Sequence, residues 1–134
     1  MKNSRMTVMC CMCLILVLTT VVGAVTPRWS NIRRVTIAHD HVGENVVGCD
    51  VEILGNPDAT LIANIDIVLK RYLGNEQWEV VYSWEDMYVV GREFDFYEEA
   101  PNMPEDYFYR LCVTAYVYVD GVPEYLDMYH DAFH

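Results

Sequence analysis

Hydrophobic and polar positions alternate most regularly between residues 107 and 119. One phase, Tyr109, Leu111, Val113, Ala115, Val117 and Val119, is apolar without a break, while Phe108, Arg110, Cys112, Thr114, Tyr116 and Tyr118 mix charge, hydroxyls and rings. Side chains two apart on a strand share a face, so this pattern predicts a long central β-strand with one set in a core and the other turned outward. β-Branched and aromatic residues fill nearly every position, and Asp120-Gly121 supplies a hairpin turn.

The other periodic stretches read as partners for that strand. Ile32 to His41 carries Ile32, Val35 and Ile37 among Arg33, Arg34 and Thr36, an imperfect alternation suited to an edge strand. Val46 to Leu54 alternates cleanly, with Val47, Cys49, Val51 and Ile53 as its inward set. Gly55-Asn56-Pro57-Asp58 breaks it. In Leu61 to Tyr72 the pattern assigns Ala63, Ile65, Ile67 and Leu69 to one face and Ile62, Asn64, Asp66, Val68 and Lys70 to the other. Gly74-Asn75-Glu76 then leads into Gln77 to Trp84, where Trp78, Val80, Tyr82 and Trp84 share a phase and Trp84 lies near the rim. Met87 to Tyr97, interrupted by Gly91, is a fifth strand, and Glu98 to Asp106, with Pro101 and Pro104, is a crossing loop. A last strand runs from Glu124 to about His130, leaving Asp131 to His134 as a frayed end.

Seven short strands separated by turn residues, with no helical periodicity, predict an all-β fold. The expected architecture is an antiparallel seven-stranded sandwich of the immunoglobulin or fibronectin type III kind, with a small β-barrel as the alternative. Tyr109 stands where such sandwiches place a tyrosine that pins a corner.

The first residues change the picture of where the chain works. Lys2 and Arg5 precede an almost wholly apolar run from Met6 to Val22, and Val22-Gly23-Ala24 provides small residues for signal peptidase. Residues 1–24 are expected to be a secretory signal peptide, and residues 25–134 a single β-sandwich domain; an uncleaved anchor is the competing reading. The apolar run is about 17 residues, short of the roughly 20 that a spanning helix needs. The formal net charge is −11, and losing Lys2 and Arg5 with the leader takes it to −13. Such an acidic chain is expected to avoid nucleic acid and anionic membranes, whose phosphates repel it.

Cys10, Cys11 and Cys13 leave with the leader, so Cys49 and Cys112 remain in a compartment that permits disulfides. A bridge between the second and sixth strands is one reading. Register supports the other, because Cys49 lies in an inward phase and Cys112 in an outward one, and a disulfide needs Cα atoms about 4.4–6.8 Å apart.

Candidate chemistry is sparse. His39 and His41 project from one face of a strand and would need a further ligand, from His130 or His134, to hold a metal; solvated histidines are the plainer reading. Carboxylates at Glu85-Asp86, Asp95 to Glu99 and Glu105-Asp106 form no calcium-loop pattern. Only two serines, Ser30 and Ser83, follow the leader, and neither lies in a Gly-x-Ser-x-Gly turn. An enzyme is therefore not expected, and no cofactor is implied. Tyr116, Tyr118, Tyr125 and Tyr129 are the stronger lead. They fall on the outward phase of the central strand and on the hairpin after it, where they would form a binding strip or pair across strands within the sheet.

The signal peptide followed by Pro27-Arg28-Trp29, then Gly48-Cys49, Ile65 to Leu69, Gly74 with Trp78 and Trp84, Tyr109-Arg110-Leu111 and Gly121 with Glu124, resembles a family of small secreted proteins of Gram-positive, often gut-dwelling, bacteria. That domain family has no established function. The resemblance implies the fold and export, and it carries over no functional residue. The expectation is a secreted acidic β-sandwich acting as a non-enzymatic interaction module for an extracellular protein or glycan. The alternatives are a structural or envelope-associated protein without a specific ligand and a weak metal binder.

Overall fold

The structure, a computed structural model, describes residues 29–134. The expected signal peptide, with Cys10, Cys11 and Cys13, lies outside the described residues, as do Pro27 and Arg28. Seven strands follow one another: β1 (Ile32–Gly43), β2 (Val46–Gly55), β3 (Ala59–Gly74), β4 (Gln77–Val90), β5 (Glu93–Ala100), β6 (Phe108–Val119) and β7 (Val122–Phe133). They form two antiparallel sheets, one in the order β1-β2-β5 and one in the order β4-β3-β6-β7. The chain is thus an all-β sandwich, and the two separate sheets rule out the barrel. β4 pairs with β3, whereas a constant-type immunoglobulin domain places its fourth strand beside the fifth. Among the described residues no helix is long and apolar enough to cross a membrane.

The core lies between the sheets. Val47, Cys49, Val51 and Ile53 of β2 face Ile65, Ile67 and Leu69 of β3 and Tyr109, Leu111, Val113, Ala115 and Val117 of β6, all fully buried. β6 keeps the predicted alternation from end to end. Its hairpin with β7 closes through Asp120 and Gly121, both at positive φ (50° and 76°), the twist that a two-residue hairpin turn requires. The Tyr109 hydroxyl donates to the carbonyl of Pro104, five residues upstream, and so pins the β5–β6 crossing to the start of β6.

Bulges overturn several of the expected phases. Asn64 adopts a left-handed φ of 49°, and the register of β3 shifts there against both neighbours, so Ile62 is buried and Ala63 is turned outward. In β4, Leu69 pairs with Tyr82 and Lys70 with Val80, which leaves Val81 as an extra residue. Val81 and Trp84 therefore pack against the core, and Trp78 faces away from it. A second bulge at Asp86 (φ 56°), whose N–H donates to Asp66 Oδ1 at 2.9 Å, carries β4 past Trp84 to Val90. Met87 to Val90 thus belongs to the fourth strand, and β5 begins only after Gly91, at φ 130°. Trp84 meets Phe96 of β5 edge-on across the sandwich, with ring centroids 5.1 Å apart.

The C-terminal residues are part of the fold. β7 continues through Phe133, and the His134 N–H donates to the Tyr107 carbonyl at 3.1 Å while its own carbonyl accepts from Asp106. β1 and β7, on different sheets, close one side of the sandwich. Where β1 begins, the Glu124 carboxylate accepts from the N–H groups of Ser30 (2.8 Å) and Asn31 (2.9 Å). The Asn31 amide donates to the carbonyls of Val117 (2.9 Å) and Val122 (3.0 Å). At the other end of this seam lie the histidines.

Candidate functional site

The four tyrosines singled out by the sequence share the outer face of the four-stranded sheet. Tyr116 and Tyr118 come from β6, Tyr125 and Tyr129 from β7, and the hairpin register pairs Tyr116 directly with Tyr125. Their rings lie 5.0 Å apart, so this pair is a cross-strand contact as well as a surface. Tyr125 is 53% exposed and Tyr129 58%, and no other segment among the described residues lies over them.

At the end of this face where β6 begins, the guanidinium of Arg110 lies between two rings, 4.2 Å from the Trp78 centroid and 3.9 Å from the Tyr129 centroid. Asp131, opposite Arg110 in register, accepts a forked pair of hydrogen bonds, Nε to Oδ1 at 2.7 Å and Nη2 to Oδ2 at 2.9 Å. This arrangement joins stacking on both faces of a planar cation to bidentate recognition of its edge. The pair holds the Asp131 carboxyl below its usual range, chiefly through the hydrogen bond from Arg110.

Sequence reasoning does not single out Arg110, Asp131 or Trp78 as site residues. A signal for two of them is present. A two-residue turn at Asp120-Gly121 pairs Val119 with Val122 and, counted outward, sets Tyr116 opposite Tyr125 and Arg110 opposite Asp131. Trp78 reaches this face only because the Val81 bulge reverses the phase of β4, which no local pattern signals.

The histidines converge at the far end of the β1–β7 seam, and these are all four histidines of the chain. His39 is 7% exposed; its Nε2 donates to the His130 carbonyl at 2.9 Å, and its Nδ1 lies 2.7 Å from Nε2 of His134. His41 Nε2 donates to the Met103 carbonyl at 2.9 Å, and its buried Nδ1 has no partner. His134 Nδ1 lies 3.3 Å from Asp40 Oδ1. Burial pushes the pKa of both His39 and His134 below the usual histidine value. The side chains of His39 and His41 thus engage backbone carbonyls and the ring of His134, which corrects the reading of solvated residues. Among the described residues no three His, Cys, Asp or Glu side chains form a set that could hold a metal ion.

Cys49 and Cys112 are both free thiols. Cys49 lies in the core, where burial pushes its pKa up to about 12, and Cys112 sits on the outer face of β6 opposite Tyr129. The full thickness of a sheet separates the two side-chain directions, so the bridge does not form. The carboxylates of Glu85-Asp86, Asp95 to Glu99 and Glu105-Asp106 are spread over β4, β5 and the β5–β6 connection. A shallow depression of about 320 Å³ on the outer face of the other sheet is lined by Ala38, Asp40, Val42, Gly48, Asp50 and Tyr97. Ser30 sits in the Glu124 clamp and Ser83 lies opposite Val68; among the described residues neither is hydrogen-bonded to a histidine.

No family model matches the chain, and no curated protein matches it. Among solved structures it is similar to Spo0M, a sporulation control protein from Bacillus subtilis, with 14% sequence identity and a TM-score of 0.49 over 78% of this chain and 49% of that one. The chain therefore spans about half the length of that protein.

Proposed function

We propose that this chain is an exported, non-enzymatic interaction module whose contact surface is the outer face of the β4-β3-β6-β7 sheet, with an extracellular protein or glycan as its partner. The observation that carries this reading is that Tyr116, Tyr118 and Tyr125 share one open sheet face with the Trp78–Arg110–Tyr129 stack. Aromatic rings held by a rigid sheet offer large contact area at low entropic cost, and they serve protein and sugar partners alike. The chemistry of the face is stacking and ion pairing, which suits recognition rather than bond making. The leader pattern in residues 1–24 supports export.

Binding to a glycan array and to a panel of cell-surface proteins, run with the parent chain and with a Tyr116→Ala/Tyr125→Ala variant, tests the assignment of the face. A partner lost in the variant is the expected result; partners retained unchanged would move the function elsewhere. For export, N-terminal sequencing of protein recovered from the medium is expected to begin near Val25, and an intact Met1 would remove that part of the reading.

A further inference from the structure

The outer face of β7 repeats a unit. Tyr125-x-Asp127-x-Tyr129-x-Asp131 places tyrosine and aspartate alternately along one face, with period two matching the pleat. In the second unit, Tyr129 and Asp131 hold Arg110 of the neighbouring strand, stacked and bidentately paired. In the first unit, Asp127 stands opposite Thr114 and Tyr125 opposite Tyr116. Thr114 lies four residues after Arg110 on β6, and Asp127 four residues before Asp131 on β7, so the two units are related by one shift along the hairpin. Opposite the aspartate, the second unit has a guanidinium from its own chain and the first a short hydroxyl; opposite the tyrosine, the second has Cys112 and the first the ring of Tyr116.

The surroundings of the first unit increase its negative character. Asp66 of β3 lies opposite Thr114 from the other side, so this β6 position is flanked by two carboxylates. Among the described residues neither Asp66 nor Asp127 takes part in an ion pair. Lys70, the cation on the same face of β3, is four residues from Asp66, about 13 Å along a strand. The Tyr125 hydroxyl ionises above its ordinary value, through loss of hydration first and then through the carboxylate of Asp127, with Tyr116 and Asp66 adding to it. The chain as a whole carries a net charge of −11, which favours a cationic visitor over long range as well.

We propose that the Tyr125–Asp127 unit, flanked by Tyr116 and Asp66, docks an arginine side chain of a cationic partner peptide, in the manner in which Tyr129 and Asp131 hold Arg110. The inference rests on the interaction-face reading above and names its partner chemistry. The incoming guanidinium lies over Thr114, pairs edge-on with Asp127 and stacks on the Tyr125 ring. Arginine is preferred to lysine because the planar fork serves both contacts at once, whereas an ammonium offers neither a stacking plane nor a fork.

The probe is a capped peptide of alternating arginine and glycine, compared by calorimetry with its lysine and citrulline counterparts. The arginine peptide is expected to bind about fivefold or more tightly than the lysine peptide, and the uncharged citrulline peptide to lose binding. Asp127→Asn is expected to weaken binding by about tenfold or more, because it removes one member of a charge-assisted pair. Thr114→Arg supplies the first unit with its own guanidinium and should abolish binding without disturbing the fold, since the position is on the outer face. Asp50→Asn, on the outer face of the other sheet, controls for bulk charge. Equal weakening by Asp50→Asn and Asp127→Asn, unchanged binding in Thr114→Arg, or no binding of the arginine peptide overturns the proposal. If the peptide fails while a glycan or protein identified by screening is still lost in Tyr116→Ala/Tyr125→Ala, the arginine inference falls and the interaction face stands. If those tyrosine substitutions leave every partner bound, both fall.

Discussion

The two faces of the β4-β3-β6-β7 sheet are written by the same strands and do different work. On β6, Tyr109, Leu111, Val113, Ala115 and Val117 are fully buried against the other sheet, while Arg110, Cys112, Thr114, Tyr116 and Tyr118 alternate with them on the outside. The inner set is nearly featureless chemically, and its contribution is apolar area removed from water. The outer face carries a stacked cation, a tyrosine pair and, from β3 and β7, the carboxylates of Asp66 and Asp127, neither in an ion pair among the described residues. Stability and the proposed recognition are thus separated by one residue step, so substitutions on adjacent positions should have effects of different size and kind.

The sharpest break of this comparison is on the inside. Leu111→Ala leaves a cavity between two rigid sheets and is expected to cost about 2–5 kcal/mol in urea denaturation. A loss under about 1 kcal/mol would show that the core collapses to fill the space. Next is Tyr109→Phe, which keeps the buried ring but removes the donor to the Pro104 carbonyl. About 1–2 kcal/mol should be lost, read from the same denaturation midpoints. An unchanged midpoint would mean that the corner is held by packing alone.

The histidines sharpen the comparison where inner and outer faces meet, at the edge of the sandwich. His39 and His134 have folded pKa values below the unfolded value of about 6.5, so below that pH the unfolded chain takes up protons that the fold resists. Stability is therefore complete above about pH 7 and falls as the pH drops through 6.5 toward the folded values. Between pH 7.5 and 5 the thermal midpoint is expected to fall, with most of the fall below pH 6.5. His39→Gln, starting from a lower midpoint, should show a shallower slope; an identical slope would place the pH dependence elsewhere. The Glu124 clamp at the opposite end of the seam belongs to a different window. Burial raises its pKa, but the N–H groups of Ser30 and Asn31 outweigh that and lower it, so its contribution persists until the pH falls below about 4.5.

The smallest effect on stability is expected outside. Tyr125→Ala removes an exposed ring from the Tyr116 pair and should change folding free energy by no more than about 0.5–1 kcal/mol, while the face loses its binding contact. If Tyr125→Ala destabilises as much as Leu111→Ala, the outer tyrosines are structural, and the division between the faces fails.

Much of the candidate face is legible in the sequence because it depends on two local rules. The pleat assigns alternate residues of β6 to opposite sides, and the Asp120-Gly121 turn fixes which residues of β7 lie opposite them. Tyr116 beside Tyr125, and Arg110 beside Asp131, follow from counting outward from that turn. The inward direction of His39 and His41 is also readable, since both continue the phase of Val35 and Ile37. Their environment is not, because His130 and His134 reach them from a strand of the other sheet.

The sequence by itself determined the number of strands, their antiparallel hairpins and the division of β6 into a buried and an outward set, since period-two alternation and turn chemistry are local and cumulative. Only the tertiary structure decided where that alternation breaks. The bulges at Asn64, Val81 and Asp86 answer to the fit of β3 and β4 against each other and against β5, and each reverses the phase of the residues beyond it. Trp78 consequently stacks on Arg110 outside, while Val81 and Trp84 turn inside. The same holds for the ordered C-terminus and the histidine seam. His134, fixed by hydrogen bonds to Asp106, Tyr107 and His39, depends on residues far away in the chain, so no local pattern encodes its placement.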